Sequence, residues 1–155
     1  MRGTSIDQVP PTVKETVFLA ETASDLNDQH DRVKSELRQM GYAVLPDRQL
    51  PHNAPELRDM LQAALERCAL SIHLVGANTG FTPEGEQRSV LRLQNDIAAT
   101  FSRDRGLARL IWIPADTEAQ DDRQGKFIDH LLNDPQTQLG ADVMQTSLEA
   151  LKSIV

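Results

Sequence analysis

Cysteine is nearly absent from this 155-residue chain: Cys68 stands alone, so no disulfide can close within it, and a reducing cytoplasm is the natural setting. Its neighbours Leu65, Ala69 and Leu70 mark it as a buried thiol acting as a small hydrophobe. Long apolar runs are lacking too, and no stretch approaches the length needed to span a bilayer. The first residues, MRGTSIDQVPPTVKE, lack the apolar centre of a signal peptide. The basic residues are scattered, with no run longer than two, and the net charge is −7 at a pI near 5.0. That balance argues against nucleic acid or an anionic membrane as partner, since both demand clustered Lys and Arg. His30, His52, His73 and His130 are dispersed, and no two share metal-ligand spacing.

What remains is a soluble α/β pattern. Apolar content is 39% and charged content 25%, as in ordinary globular domains. Residues 1–15, with Pro10 and Pro11, read as a flexible lead-in to a single domain over 16–155. Strands are expected at 16–21, 42–46, 69–76 and 108–114, with a short edge strand at 141–146. Between them lie helical periodicities. Leu26, Val33, Leu37 and Met40 follow an N-cap at Ser24 or Asp25, with Gly41 as the stop. Leu57, Leu61 and Leu65 mark a helix over 56–67, and Val90, Leu93, Ile97 and Phe101 one over 88–101. Phe127, Ile128, Leu131 and Leu132 mark a fourth, and Ser147 caps a last one with Leu148 and Leu151 inward.

Apolar strands alternating with amphipathic helices imply a parallel sheet covered on both faces. Right-handed crossovers make it a doubly wound five-stranded sheet, with the order 2-1-3-4-5 expected. Ligands in such folds lie beyond the carboxyl ends of the strands, at the switch point between the first and third. The loops at 21–25, 47–55 and 76–88 therefore carry any function.

These loops exclude several chemistries. There is no GxGxxG and no GxxxxGK[ST], which disfavours a Rossmann dinucleotide site and a P-loop. The third strand ends "HLVGAN", without the aspartate of a phosphate-accepting receiver. "ETAS" is a poor match to a flavin phosphate loop. His73 alternates within a strand and reads as a packed or sheet-edge residue, and His52 as a solvated loop residue. The carboxylates are more suggestive as a group than singly. Glu21 closes the first strand, Asp47 the second, and Glu84 and Glu86 precede a helix N-terminus, where the dipole favours them by about 0.3–1 kcal/mol without any catalysis.

The order and spacing of these segments resemble the TIR (Toll/interleukin receptor) domain family, in a bacterial branch. "VFLAETASD" is similar to its first box, with Phe18 and Asp25 in matching places, and "YAVLPDRQLP" to its second, with Asp47, Leu50 and Pro51. "SIHLVGANTGFTPEGEQRSVLRLQNDIA", "RLIWIP" and "GADVMQTSLEALK" continue the similarity over about 16 to 152. The resemblance implies a flavodoxin-like domain that, once assembled, hydrolyses the nicotinamide–ribose bond of NAD as a bacterial immune effector. NAD would be a substrate, with no tightly bound cofactor. Bond cleavage there passes through a ribosyl cation faced by a carboxylate, as in glycoside chemistry. Aligned on Gly76, that carboxylate is Glu84 or Glu86; aligned on Ala98, the place is held by Gln94. Glu21, Thr22, Asp25, Asp47 and Arg48 would line the substrate. The alternative implied by the family is a non-catalytic module that works through TIR–TIR contacts or with further domains of a longer chain.

Overall fold

The computed structural model describes residues 15–138 and 140–153. The lead-in expected at 1–15 lies outside these residues but for Glu15, and the side chain of Leu151, expected inward, is not among the described side chains.

Five parallel strands form one sheet: β1 (Thr16–Leu19), β2 (Ala43–Leu45), β3 (Leu70–Leu74), β4 (Ala108–Pro114) and β5 (Ala141–Thr146), in the order 2-1-3-4-5. This is the doubly wound α/β arrangement expected. Register is set by Val17 opposite both Val44 and Leu70, Ile72 opposite Leu110, and Ile111 opposite Val143.

The period-2 alternation of the strands divides two cores. Val17, Leu19, Ile72, Leu74, Leu110 and Trp112 point to one face, where Leu26, Val33 and Leu37 cover them. Those covering residues come from a 3-10 turn at Ser24–Leu26 and from α1 (Asn27–Gln39). Phe18, Ile111 and Ile113 point to the other face. There Leu57, Leu61 and Leu65 of α2 (Ala54–Glu66), Leu93 and Ala98 of α3 (Val90–Arg105), and Phe127 and Leu131 of α4 (Asp122–Asn133) complete the layer. The short α5 (Pro135–Gln138) precedes β5, and α6 (Leu148–Lys152) returns Leu148 to the α1 face, with Ser147 Oγ accepting from the Ala150 amide at 3.3 Å.

Caps explain the helix starts. Asn53 Oδ1 accepts from the Glu56 amide at 3.1 Å, so α2 begins two residues before the expected Glu56. Ser89 Oγ accepts from the Arg92 amide at 3.3 Å, and Gly106, at φ 75°, ends α3. One expectation fails here. Neither Ser24 nor Asp25 caps a helix: the residues in cap position are Ala23 and Leu26, and neither makes a side-chain cap bond. Asp25 is instead drawn across to the loop after β3.

Candidate functional site

The β1 pairing runs one residue past Leu19, where the Ala20 amide donates to the Ile72 carbonyl at 2.9 Å. Gln94 of α3 then seizes the next peptide. Its Oε1 accepts from the Glu21 amide at 2.8 Å, and its Nε2 donates to the Glu21 carbonyl at 2.9 Å and to the Val90 carbonyl at 3.2 Å. Gln94 is fully buried. Both ends of its amide therefore serve the backbone and fix the Glu21 peptide.

The loop after β1 is tied to the loop after β3. Thr22 Oγ1, buried, donates to the Leu74 carbonyl at 2.9 Å. Asp25 Oδ2 accepts from the amides of Ala77 at 2.8 Å and Asn78 at 3.4 Å. The close approach requires glycine at position 76, where a Cβ would fall 2.4 Å from Asp25 Oδ2 and 2.9 Å from Leu26 Cγ.

The two glutamates of "PEGE" have opposite environments. Glu86 is 6% exposed and saturated with donors. Oε2 accepts from the Gln87 and Arg88 amides at 3.0 and 3.1 Å and from Arg88 Nε at 2.9 Å. Oε1 accepts from Arg88 Nη2 at 3.1 Å and from Arg58 Nη2. The Arg88 guanidinium, above all, holds this carboxyl far below the usual carboxylate range. Glu84 is exposed, and its side chain makes no hydrogen bond or ion pair with a described residue. Its backbone is anchored: the Glu84 amide donates to the His52 carbonyl, and its carbonyl accepts from Ala54, both at 2.7 Å. This bridge fixes the 76–88 loop against the end of the 47–53 loop.

Of the cavities beyond the carboxyl ends of the strands, two border the end of β1 or the loop after it. One, of about 350 Å³, lies at the switch point between β1 and β3 and is lined by Thr22, Ala23, Ser24, Asn78, Gly80 and Phe81, with Val90 and Gln120. The other, of about 330 Å³, lies beside β1 and β2. Glu21, Asp47 and Arg48 line it with His30, Lys34 and Arg38 from α1. His30 is 7% exposed, and its Nε2 is buried without a hydrogen-bond partner among the described residues. Burial lowers the His30 pKa below the usual imidazole value, against the opposing pull of the Glu21 charge.

Comparison with known proteins gives a fold and no family. No family model matches the chain, and no curated protein matches it. Among solved structures it is similar to the Clostridium botulinum CMP N-glycosidase BcmB, with a TM-score of 0.54 and 14% identity over 91% of this chain and all of that one. At that identity the likeness concerns the fold.

The structure thus brings Glu21, Asp47 and Arg48 together. Thr22 and Asp25 are placed at the neighbouring turn with their side chains committed, Glu86 lies in an arginine clasp, and Glu84 is exposed and lines neither cavity. Sequence reading missed His30, Lys34 and Arg38, although their recurrence every four residues puts them on one face of α1. It also missed Phe81, exposed at the switch-point cavity with its ring 4.8 Å from that of His52. His73 is buried in the central strand, its Nε2 3.0 Å from Ser71 Oγ, and burial pushes its pKa down to about 3. Cys68 is buried, which pushes its thiol up to about 11. Among the described residues no group of three His, Cys, Asp or Glu could hold a metal ion, and no helix is long and apolar enough to cross a membrane.

Proposed function

We propose that this chain is a TIR-like ribonucleotide N-glycosidase that cleaves the nicotinamide–ribose bond of NAD when assembled, in bacterial immune defence. The observation that carries this reading is the cavity beside β1 and β2. It combines carboxylates, Glu21 and Asp47, with cations, Lys34, Arg38 and Arg48, at the carboxyl end of the sheet, next to the β1/β3 switch point where ligands of such folds bind. Ribose hydroxyls donate to carboxylates, and phosphates accept from Lys and Arg, so the mixture suits a nucleotide better than either part alone. Cleavage of a nucleotide N-glycosidic bond is the activity named for the structurally similar BcmB, which lends the chemistry to this fold by analogy.

Breaking the bond leaves electron deficiency on C1′ of the ribose. A carboxylate facing it stabilises the developing cation, nicotinamide departs with the bonding pair, and water adds at C1′. Glu86 suits this role poorly, because five donors occupy its oxygens. Gln94 carries no charge. We assign the role to Glu84, whose exposed carboxylate makes no hydrogen bond or ion pair with a described residue, and ribose binding to Glu21. Nicotinamide release from NAD by concentrated protein tests the activity, and Glu84→Gln and Glu21→Gln test the division of roles.

A second reading, the non-catalytic module, is favoured by the same two facts: a glutamine clasped to the backbone at one alignment of the catalytic place, and an arginine-neutralised glutamate at the other. In that reading the exposed 47–49 segment and the rim at Phe81 would meet another TIR-like surface.

A further inference from the structure

Arginines gather at one place on this acidic chain. A cavity of about 310 Å³ opens between the start of α3 and the start of α4, at the carboxyl end of the sheet. Arg88, Arg92 and Arg123 line it, and Asp96 is the one carboxylate on its wall. Asp96 Oδ2 lies 3.1 Å from Arg88 Nη1 and 3.8 Å from Arg92 Nε, so two of the three cations share it. Glu86, outside the wall, draws on Arg88 but is matched by Arg58, which also lies outside. Four arginines thus face two carboxylates, an excess of two positive charges in a chain whose net charge is −7.

The donors are present as well as the charge. A guanidinium carries five N–H groups. Arg88 gives one bond each from Nε, Nη1 and Nη2 to Glu86 or Asp96. Arg123 gives Nη1 to Thr82 Oγ1 at 3.0 Å and Nη2 to the Gln87 carbonyl. The Arg92 guanidinium makes no hydrogen bond with a described residue, and its carbon lies 5.9 Å from the centre of the Phe127 ring. Each of the three therefore keeps N–H groups that no described residue takes. All three side chains reach solvent, Arg88 at 38% and Arg92 at 39% exposure, so a ligand need not enter the core to meet them. Ser89 and Asp121 already cap α3 and α4, so the donors are the arginine forks and not the helix ends.

Two excess charges and three forked donors suit a dianion with several oxygens. A phosphate monoester carries about −1.5 to −2 charges at neutral pH and offers three acceptor oxygens, whereas a carboxylate brings one charge and two oxygens. We propose that the cavity between the starts of α3 and α4 binds the phosphate of a small phosphate monoester, held by Arg88, Arg92 and Arg123. The site is separate from the cavity beside β1 and β2. A phosphate there joins α3 to α4 across the loop that carries Glu84, because Arg123 also holds Thr82 and Gln87 on either side of that residue.

The test is a titration followed at the Nε–H signals of ¹⁵N-arginine-labelled protein at constant ionic strength. Ribose 5-phosphate, inorganic phosphate and unphosphorylated ribose are the probes. Ribose 5-phosphate and inorganic phosphate are expected to shift the Arg88, Arg92 and Arg123 signals saturably, and ribose to move none of them. Arg92→Ala on α3 and Arg123→Ala on α4 are each expected to weaken ribose 5-phosphate about 10-fold or more, the loss of one charge-assisted contact. Shifts confined to Arg38 and Arg48 put the phosphate in the cavity beside β1 and β2 and overturn the site. Shifts that rise linearly without saturation, or that chloride reproduces, overturn it as mere screening. A response to inorganic phosphate with none to ribose 5-phosphate removes the monoester. Unchanged affinity in both variants overturns the arginine assignment, and the titration of the unaltered protein decides the matter should either variant fail to fold. None of these outcomes depends on whether NAD is cleaved.

Discussion

Gln94 holds the peptide of Glu21 from both sides, accepting from its N–H at 2.8 Å and donating to its C=O at 2.9 Å. A glutamine is needed because one donor and one acceptor must be presented together in a buried place. Gln94→Ala leaves both Glu21 backbone groups unsatisfied and is expected to cost about 2–4 kcal/mol, read from the urea midpoint. Gln94→Glu turns the donor against two carbonyls. Its carboxyl will hold its proton in the folded state, so that variant keeps its stability below roughly pH 4.3 and loses it as pH rises. Neither change is expected to raise nicotinamide release, since position 94 carries the backbone and not the substrate.

Glu86 is a clasp between α2 and the start of α3, joining Arg58 to Arg88. Its pKa is depressed in the folded protein, so the stability it contributes is present above the unfolded carboxylate value of about 4.3 and is lost as pH falls below it. Both arginines are more than a third exposed, and solvent screening limits the effect to about 1 kcal/mol for Glu86→Gln at pH 7. The gap between urea melts of the two proteins should narrow as the pH falls below about 4.3 and close only well below it. A constant gap would place the contribution in packing.

Gly76 and Asp25 are coupled by contact. A Cβ at 76 would sit 2.4 Å from Asp25 Oδ2, so Gly76→Ala is expected to destabilise by about 1–3 kcal/mol. Asp25→Ala in the same chain removes the struck oxygen but not Leu26, and should recover part of that loss. The double-mutant cycle should therefore be non-additive, and strict additivity would show that the two loops do not meet.

Glu84 and Glu21 divide the chemistry and the binding. Glu84→Gln is expected to lower kcat roughly 100-fold or more with KM little changed, as for a group whose charge matters only in the transition state. Glu21→Gln should act mainly on KM. Thermal melting of Glu84→Gln should match the unaltered protein, because its exposed carboxylate has no partner among the described residues. The reversed split would exchange the two roles.

The five-strand order was legible because each strand announces itself by apolar residues and each crossover by helical spacing; β4 and β5 keep the boundaries read from sequence. The sheet-end loops followed from that order alone. The partners of the carboxylates did not. Nothing in "PEGEQR" reveals that Arg58, from a helix before the preceding strand, will reach Glu86, since that pairing depends on how α2 packs beside α3. Asp25 looked like a cap because it precedes a helix, yet the bend around Gly76 brings two amides to it instead. His30, Lys34 and Arg38 carried a readable signal in their spacing, but a polar helix face is normally solvated, and only the end of β2 turns this one into a cavity wall.

The central claim is bond cleavage, and the direct measurement is nicotinamide release from NAD at protein concentrations that drive self-association, with Glu84→Gln alongside. The account predicts release by the unaltered protein that rises steeply with its concentration and is lost in the variant. NAD left intact across that range, in solution and on a tethering scaffold, would contradict it.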